Sequence, residues 1–271
     1  MRTALLSLLL VTSAAAQPTD LDWAGPSSLE VVIDTALEAD VVYLGEIHDD
    51  SVAHVAQLAI LEAVLAQADR PVALGLEMFE TDVQLVLDEY LAGHIQERDL
   101  QAVARPWGNY ATDYRPMVEA AKLSGAPVLA TNAPARYVRR LARGETLSGL
   151  EDDALATLPP LPIAPVSRAT EAAFRELMGG MAGHGGPSVD DMLAAQNLRD
   201  VSMAHVVATW LAQNPGGLVV HVNGSFHSAG GRGIPEHLER RMPGVRQLVV
   251  TLQPDDAAAD AGDDFVVRTG Q

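Results

Sequence analysis

Val41-Val42-Tyr43-Leu44-Gly45-Glu46-Ile47-His48 is the stretch whose reading decides the fold: an apolar run that ends in a glycine and at once presents a carboxylate and an imidazole. A short apolar run bounded by turn residues suits a central parallel strand, buried on both faces. In open α/β sheets, ligands sit beyond the carboxyl ends of such strands, so Glu46 and His48 stand where a site is expected. A single strand end with two polar residues is equally what a solvated turn shows. The weight therefore falls on whether other strands end the same way.

Working outward, residues 51–67 read as a helix, with His54, Leu58, Leu61 and Leu65 on one stripe, so that His54 faces inward in the first turn beside the strand end. A second strand over 71–76 runs directly into Glu77-Met78-Phe79. Residues 81–91 are helical, Gly93 ends that helix, and 105–110 are loop-like. A helix begins after Asp113 and carries Tyr114-Arg115-Pro116-Met117-Val118. A third strand over 127–131 ends in Asn132, and 134–143 is helical with Arg136 and Tyr137 in its first turns. A fourth strand over 217–222 ends in Asn223-Gly224-Ser225-Phe226-His227, Ile234-Pro235 opens a helix, and 245–252 closes the sheet as a fifth strand. Four strands thus end in polar residues. The expected fold class is α/β, a mainly parallel sheet flanked by helices.

Residues 1–16 have the layout of a secretory signal peptide: Arg2, an apolar stretch over 5–11, and the small residues Ala14-Ala15-Ala16. The α/β domain is expected over 17–253. Within it 144–187 departs from the pattern, with Pro159, Pro160, Pro162 and Pro165, a helix over 170–178, and a glycine-rich loop carrying Met181 and His184. That length suits a small helical insertion or lid. Met178, Met181 and His184 are soft or imidazole donors at regular spacing, although methionine gap-filling is the ordinary reading. Ser188 caps a helix over 188–210, whose run Gln196, Asn197, Arg199 and Asp200 spans about one turn, so at least one of them faces inward. Residues 254–271 read as an acidic, flexible C-terminal tail.

The formal net charge of −18 and pI near 4.6 argue against a nucleic-acid partner. Arg136, Arg139, Arg140 and Arg143 cluster, ordinarily as a solvated helix face. The sequence has no cysteine, hence no disulfide, thiolate-held zinc or lipidated cysteine within it, and after the leader no apolar run of ~18 residues. An exported, soluble, periplasmic protein without a stable membrane anchor is the expectation.

Glu46, Glu77, His48, His227, Asn132 and His54 form a mixed nitrogen and oxygen set. It suits a Zn, Mn or Fe ion, or general acid/base work by Glu/His pairs. His221 falls inside the fourth strand and reads as a satisfied core histidine; His94, His205 and His237 read as surface or packing residues. Ser225 lacks the glycine pattern of a nucleophile elbow.

Several separated strings in order then carry a resemblance. Leu44-Gly45-Glu46-Ile47-His48, Leu76-Glu77-Met78-Phe79, Thr131-Asn132-Ala133-Pro134, Ala195-Gln196-Asn197-Leu198-Arg199-Asp200 with Met203-Ala204, and Asn223-Gly224-Ser225-Phe226-His227 followed by Gly233-Ile234-Pro235 resemble the ChaN-type haem-binding uptake family. That family lies in the wider group of Tiki-type proteases and erythromycin esterases. The resemblance runs from about Val41 to Leu252. It implies an α/β core with a helical subdomain, export, and haem bound through a tyrosine with histidine assistance, across a homodimer. The haem candidates are Tyr114, in Asp113-Tyr114-Arg115-Pro116, and Tyr137, with Arg136 and His184 beside them. From the wider group it implies another role for Glu46, His48, Glu77 and His227: a metal-dependent or Glu/His-assisted hydrolytic site. Haem or iron binding for uptake is the favoured expectation, and a hydrolase is the alternative.

Overall fold

The structure, a computed structural model, describes residues 22–23, 28–179, 186–257 and 262–270. Among them, seven strands form one sheet: β1 (Asp22–Trp23), β2 (Val41–Glu46), β3 (Val72–Glu80), β4 (Val128–Asn132), β5 (Leu218–Gly224), β6 (Gln247–Gln253) and β7 (Phe265–Arg268). The order is β1-β7-β6-β2-β5-β3-β4. All neighbours are parallel except the outermost pair, β1 and β7. The helices between them are α1 (Leu29–Glu38), α2 (Ser51–Gln67), α3 (Gln84–Leu91), α4 (Glu97–Ala104), α5 (Arg115–Ser124), α6 (Ala135–Ala142), α7 (Asp152–Leu155), α8 (Arg168–Gly179), α9 (Val189–Gln213) and α10 (Ile234–Arg241).

β2 lies between β5 and β6, and all six of its residues are buried, as its unbroken apolar run requires. Side chains alternate across a strand. Val42 and Leu44 enter the core shared with α1, α2 and α5, whereas Val41 and Tyr43 enter the core under α9 and α10. The same alternation sends Glu46 to the α2 side. On β3, Leu74 and Leu76 face the first core and Ala73 the second, so Glu77 goes to the α9 side. The two acidic strand ends therefore emerge on opposite faces of one sheet edge.

α2 begins where Asp50 accepts hydrogen bonds from the Val52 and Ala53 amides, at 3.0 and 3.1 Å. α9 begins with Ser188 accepting from the Asp191 amide at 3.1 Å. A third, smaller cluster of Ala133, Tyr137, Val138, Leu147, Leu158, Ala195 and Leu198 ties α6 to α9 and to the segment before α8.

Two expectations are corrected. The chain beyond Pro254 is not all a flexible tail: Phe265-Val266-Val267 is a β-branched apolar run, Val267 is fully buried, and β7 pairs with β6. Accordingly the fifth strand does not close the sheet. α1 and α4 also form where no element was anticipated. Residues 1–16, Met181 and His184 lie outside the described residues.

Candidate functional site

Glu46 ends β2 with its carboxylate buried among α2 and the turn before α5. Oε1 lies 3.0 Å from Nδ1 of His48 and accepts the hydroxyl hydrogen bond of Tyr114. Oε2 accepts from Nε2 of Gln57 at 2.6 Å and lies 3.1 Å from Nδ1 of His54. Four partners fix both oxygens. His48 is the reachable member, with its side chain 47 % exposed against 0 % for that of Glu46. Trp107 packs edge-on against its ring at 4.3 Å, and Asn109 donates to its backbone carbonyl at 2.6 Å. Burial disfavours the charged imidazole, but the Glu46 hydrogen bond and the Glu77 charge outweigh it and raise its pKa.

The second couple forms on the other face. Glu77 Oε1 lies 3.3 Å from Nε2 of His227, and Oε2 accepts the Gly224 amide at 2.8 Å. Nδ1 of His227 is 2.5 Å from Oδ1 of Asp200, and the Gln196 amide nitrogen is 3.2 Å from its Nε2. Burial opposes ionisation of both Glu77 and His227, but their mutual attraction wins. Glu77 falls to about 2, aided by His48 and the Gly224 amide, and His227 rises to about 10 with Asp200 as its second counter-charge. His227 is thus held as an imidazolium between two carboxylates.

Gly224 joins the couples. A Cβ there would lie 2.9 Å from Cε1 and 3.0 Å from Nε2 of His48, and 3.6 Å from Oε2 of Glu77. The missing side chain is the space into which the His48 ring leans. Glu46, His48, Glu77 and His227, expected from separate strand ends, are therefore gathered, and His54 joins them. Among the described residues, no group of three or more His, Asp or Glu side chains is arranged to hold a metal ion. Instead Glu46 bridges His48 and His54, and His227 bridges Glu77 and Asp200.

Arg199 donates from Nη1 to Oδ1 of Asn132 at 3.1 Å, linking α9 to the end of β4. His221 is a satisfied core histidine, 3.0 Å from both Asn223 Oδ1 and Thr131 Oγ1, and burial pushes it down to about 4. Beside the His227 end lies an apolar cleft of about 440 Å³, between α6, α8, α9 and Phe226. Its lining includes Val138, Phe174, Met178, Met192, Arg139 and Arg199.

The tyrosine candidates separate. Tyr114 is 1 % exposed and its hydroxyl is committed to Glu46; burial and that carboxylate push its pKa well up. In this arrangement the phenol positions Glu46. Tyr137 adjoins the cleft-lining Val138 and Arg139, and Arg136 stacks over its ring at 4.5 Å while ion-pairing with Asp82. Gln57 and Gly224 were not foreseen as site residues. The available signal for Gln57 was an amide three residues after the inward-facing His54; in the structure both are buried on the inner face of α2.

A family model described as haem-binding uptake, Tiki superfamily, ChaN matches residues 32–238. Protein RETICULATA-RELATED 5, chloroplastic, of Arabidopsis thaliana is 27 % identical over 234 residues, which are 81 % of this chain and 32 % of that protein. The chain thus spans about a third of that relative's length. Among solved structures, one described as cofacial heme binding to ChaN of Campylobacter jejuni is similar with a TM-score of 0.68 at 22 % identity, covering 89 % of this chain and 92 % of that one. A histidine-to-asparagine mutant of the erythromycin esterase EreC in its open conformation is similar at a TM-score of 0.50 and 14 % identity, over 83 % and 72 % of the two chains. At these identities the likeness is one of fold.

Proposed function

We propose, for a chain that belongs to the haem-binding uptake family of the Tiki superfamily, ChaN type, that it is an exported haem-binding protein serving haem or iron uptake. The observation that carries the reading is the cleft between α6, α8 and α9. A porphyrin needs apolar walls, cations for its carboxylates and a donor for iron. The cleft offers Val138, Phe174, Leu177 and Phe226 as walls, and Arg139 and Arg199 as cations. Of the tyrosines, Tyr43 donates to Gln247, Tyr90 to Glu119 and Tyr114 to Glu46. Tyr110 is buried away from the cleft. Tyr137, next in sequence to the cleft-lining Val138 and stacked under Arg136, is the tyrosine assigned to the iron, with Arg136 as the cation beside it; bound iron would bring a Lewis-acidic, redox-active centre. In an absorbance titration, haem should give a saturable Soret band that Tyr137→Phe shifts in position and weakens. A linear, unsaturable response would remove the reading. The resemblance also implies paired chains, so haem should increase the dimer fraction in sedimentation.

A second reading is favoured by the exposed face of His48. Glu46 holds Nδ1 and Gly224 leaves Nε2 open, which is the orientation a general base needs to take a proton from water. Such a site would act as a Glu/His-assisted hydrolase, with imidazolium His227 and Glu77 opposite. Screening ester and peptide hydrolysis, with metal content measured on the same sample, tests it. Activity should fall by about 10²-fold or more in Glu46→Gln and His48→Ala; activity indifferent to both changes would count against it.

A further inference from the structure

Arg136, Arg139, Arg140 and Arg143 belong to one short helix and its end, yet they are not equivalent. Arg136 reaches Asp82, and Arg140 and Arg143 both reach Glu145. Arg139, between them in sequence, has no carboxylate within ion-pair distance among the described residues and lines the cleft instead. Arg199, on the facing helix, is met by the neutral amide oxygen of Asn132. The chain carries 36 acidic against 18 basic residues. Among the described residues Arg168, Arg241 and Arg268 also lack a carboxylate partner, but they do not line this cleft; Arg139 and Arg199 are the two such guanidiniums that meet on its apolar wall.

Covering these cations with a purely apolar ligand would remove water from them and return nothing. A ligand that brings carboxylates to them gains charge-assisted, fork-to-fork hydrogen bonds. The rings of Phe174 and Phe226, 5.9 Å apart, offer the apolar part of such a ligand a wall. We propose that the cleft selects amphipathic carboxylates, with Arg139 and Arg199 as the two anion anchors. For haem this rests on the reading above and deepens it: the two arginines make the cleft selective for a free carboxylate over its ester and extend its ligands to other amphipathic carboxylates. Arg199 and Gln196 line the cleft and also touch Asn132 and His227, so the anchored end of the ligand lies on the strand-end site.

The test titrates wild type, Arg139→Gln, Arg199→Gln and the double variant with three probes: haem, haem dimethyl ester and oleate. Circular dichroism and the urea midpoint report folding, and the ester probe on wild type needs no variant at all. Haem should bind at least about tenfold more tightly than its dimethyl ester, and each single change should weaken haem by about tenfold while leaving the ester within about twofold. Equal affinities for haem and ester in wild type, or unchanged haem binding by the folded double variant, would overturn the anchors and leave haem binding standing. Oleate binding that needs both arginines, with no haem uptake, would instead support the anchors and remove the haem reading.

Discussion

Glu77 shows how a residue type is legible when its role is not. A carboxylate directly after an apolar strand is visible in the chain, but its state is set by residues up to 150 positions away: His227, His48 and the Gly224 amide. The pair has a defined signature in stability against pH. Glu77, lowered from 4.5 to about 2, contributes stability that is present above 4.5 and lost as pH falls toward 2. His227, raised from 6.5 to about 10, contributes stability that is full below 6.5 and lost as pH climbs to 10. The excess stability of wild type over the Glu77→Gln/His227→Gln double variant should therefore peak between pH 4.5 and 6.5 and shrink on both sides. Urea unfolding across that range measures it, and a flat difference would mean the two groups are not paired. Asp200 was foreseen only as one of four polar residues in a turn of α9. Its partner, in the turn after β5, belongs to tertiary structure.

At the level of elements, periodicity located the central strands and α2, because buried parallel strands are nearly continuous apolar runs and a long helix has a long stripe. The periphery was harder. β7 has four residues, and its pairing depends on an already formed β6; α1 and α4 are short and owe their burial to what they pack on. Strand order was not legible, since backbone pairing leaves no period in the side chains. The exposed edge is handled locally: on β4, the Gln84 side chain donates to the Val128 carbonyl at 2.9 Å and accepts from the Ala130 amide at 2.7 Å, standing in for a further strand. Gln84→Ala should cost about 1–3 kcal/mol by leaving those backbone groups unpaired and raise the tendency to associate edge to edge. Urea denaturation and light scattering read the two effects; an unchanged midpoint would show that water replaces the amide without penalty.

For the molecule as a whole, side-chain alternation on two strands sends Glu46 to one face of the sheet and Glu77 to the other, and Gly224 lets the two couples meet at the edge. A helical layer of α6, α8 and α9 then adds a cleft next to that meeting point. The convergence of strand ends and the family resemblance were both readable in the chain, because each is carried by local strings. The cleft was not, since it is made by three helices separated by a proline-rich crossing. Among the described residues, no helix is long and apolar enough to cross a membrane. The most direct measurement of the central claim is the visible spectrum, with metal analysis, of the protein isolated from its own cells without added haem. A Soret band with about one haem per chain is the result this account predicts. One tightly bound Mn, Zn or Fe per chain with no Soret band, before or after haem is supplied, would contradict it.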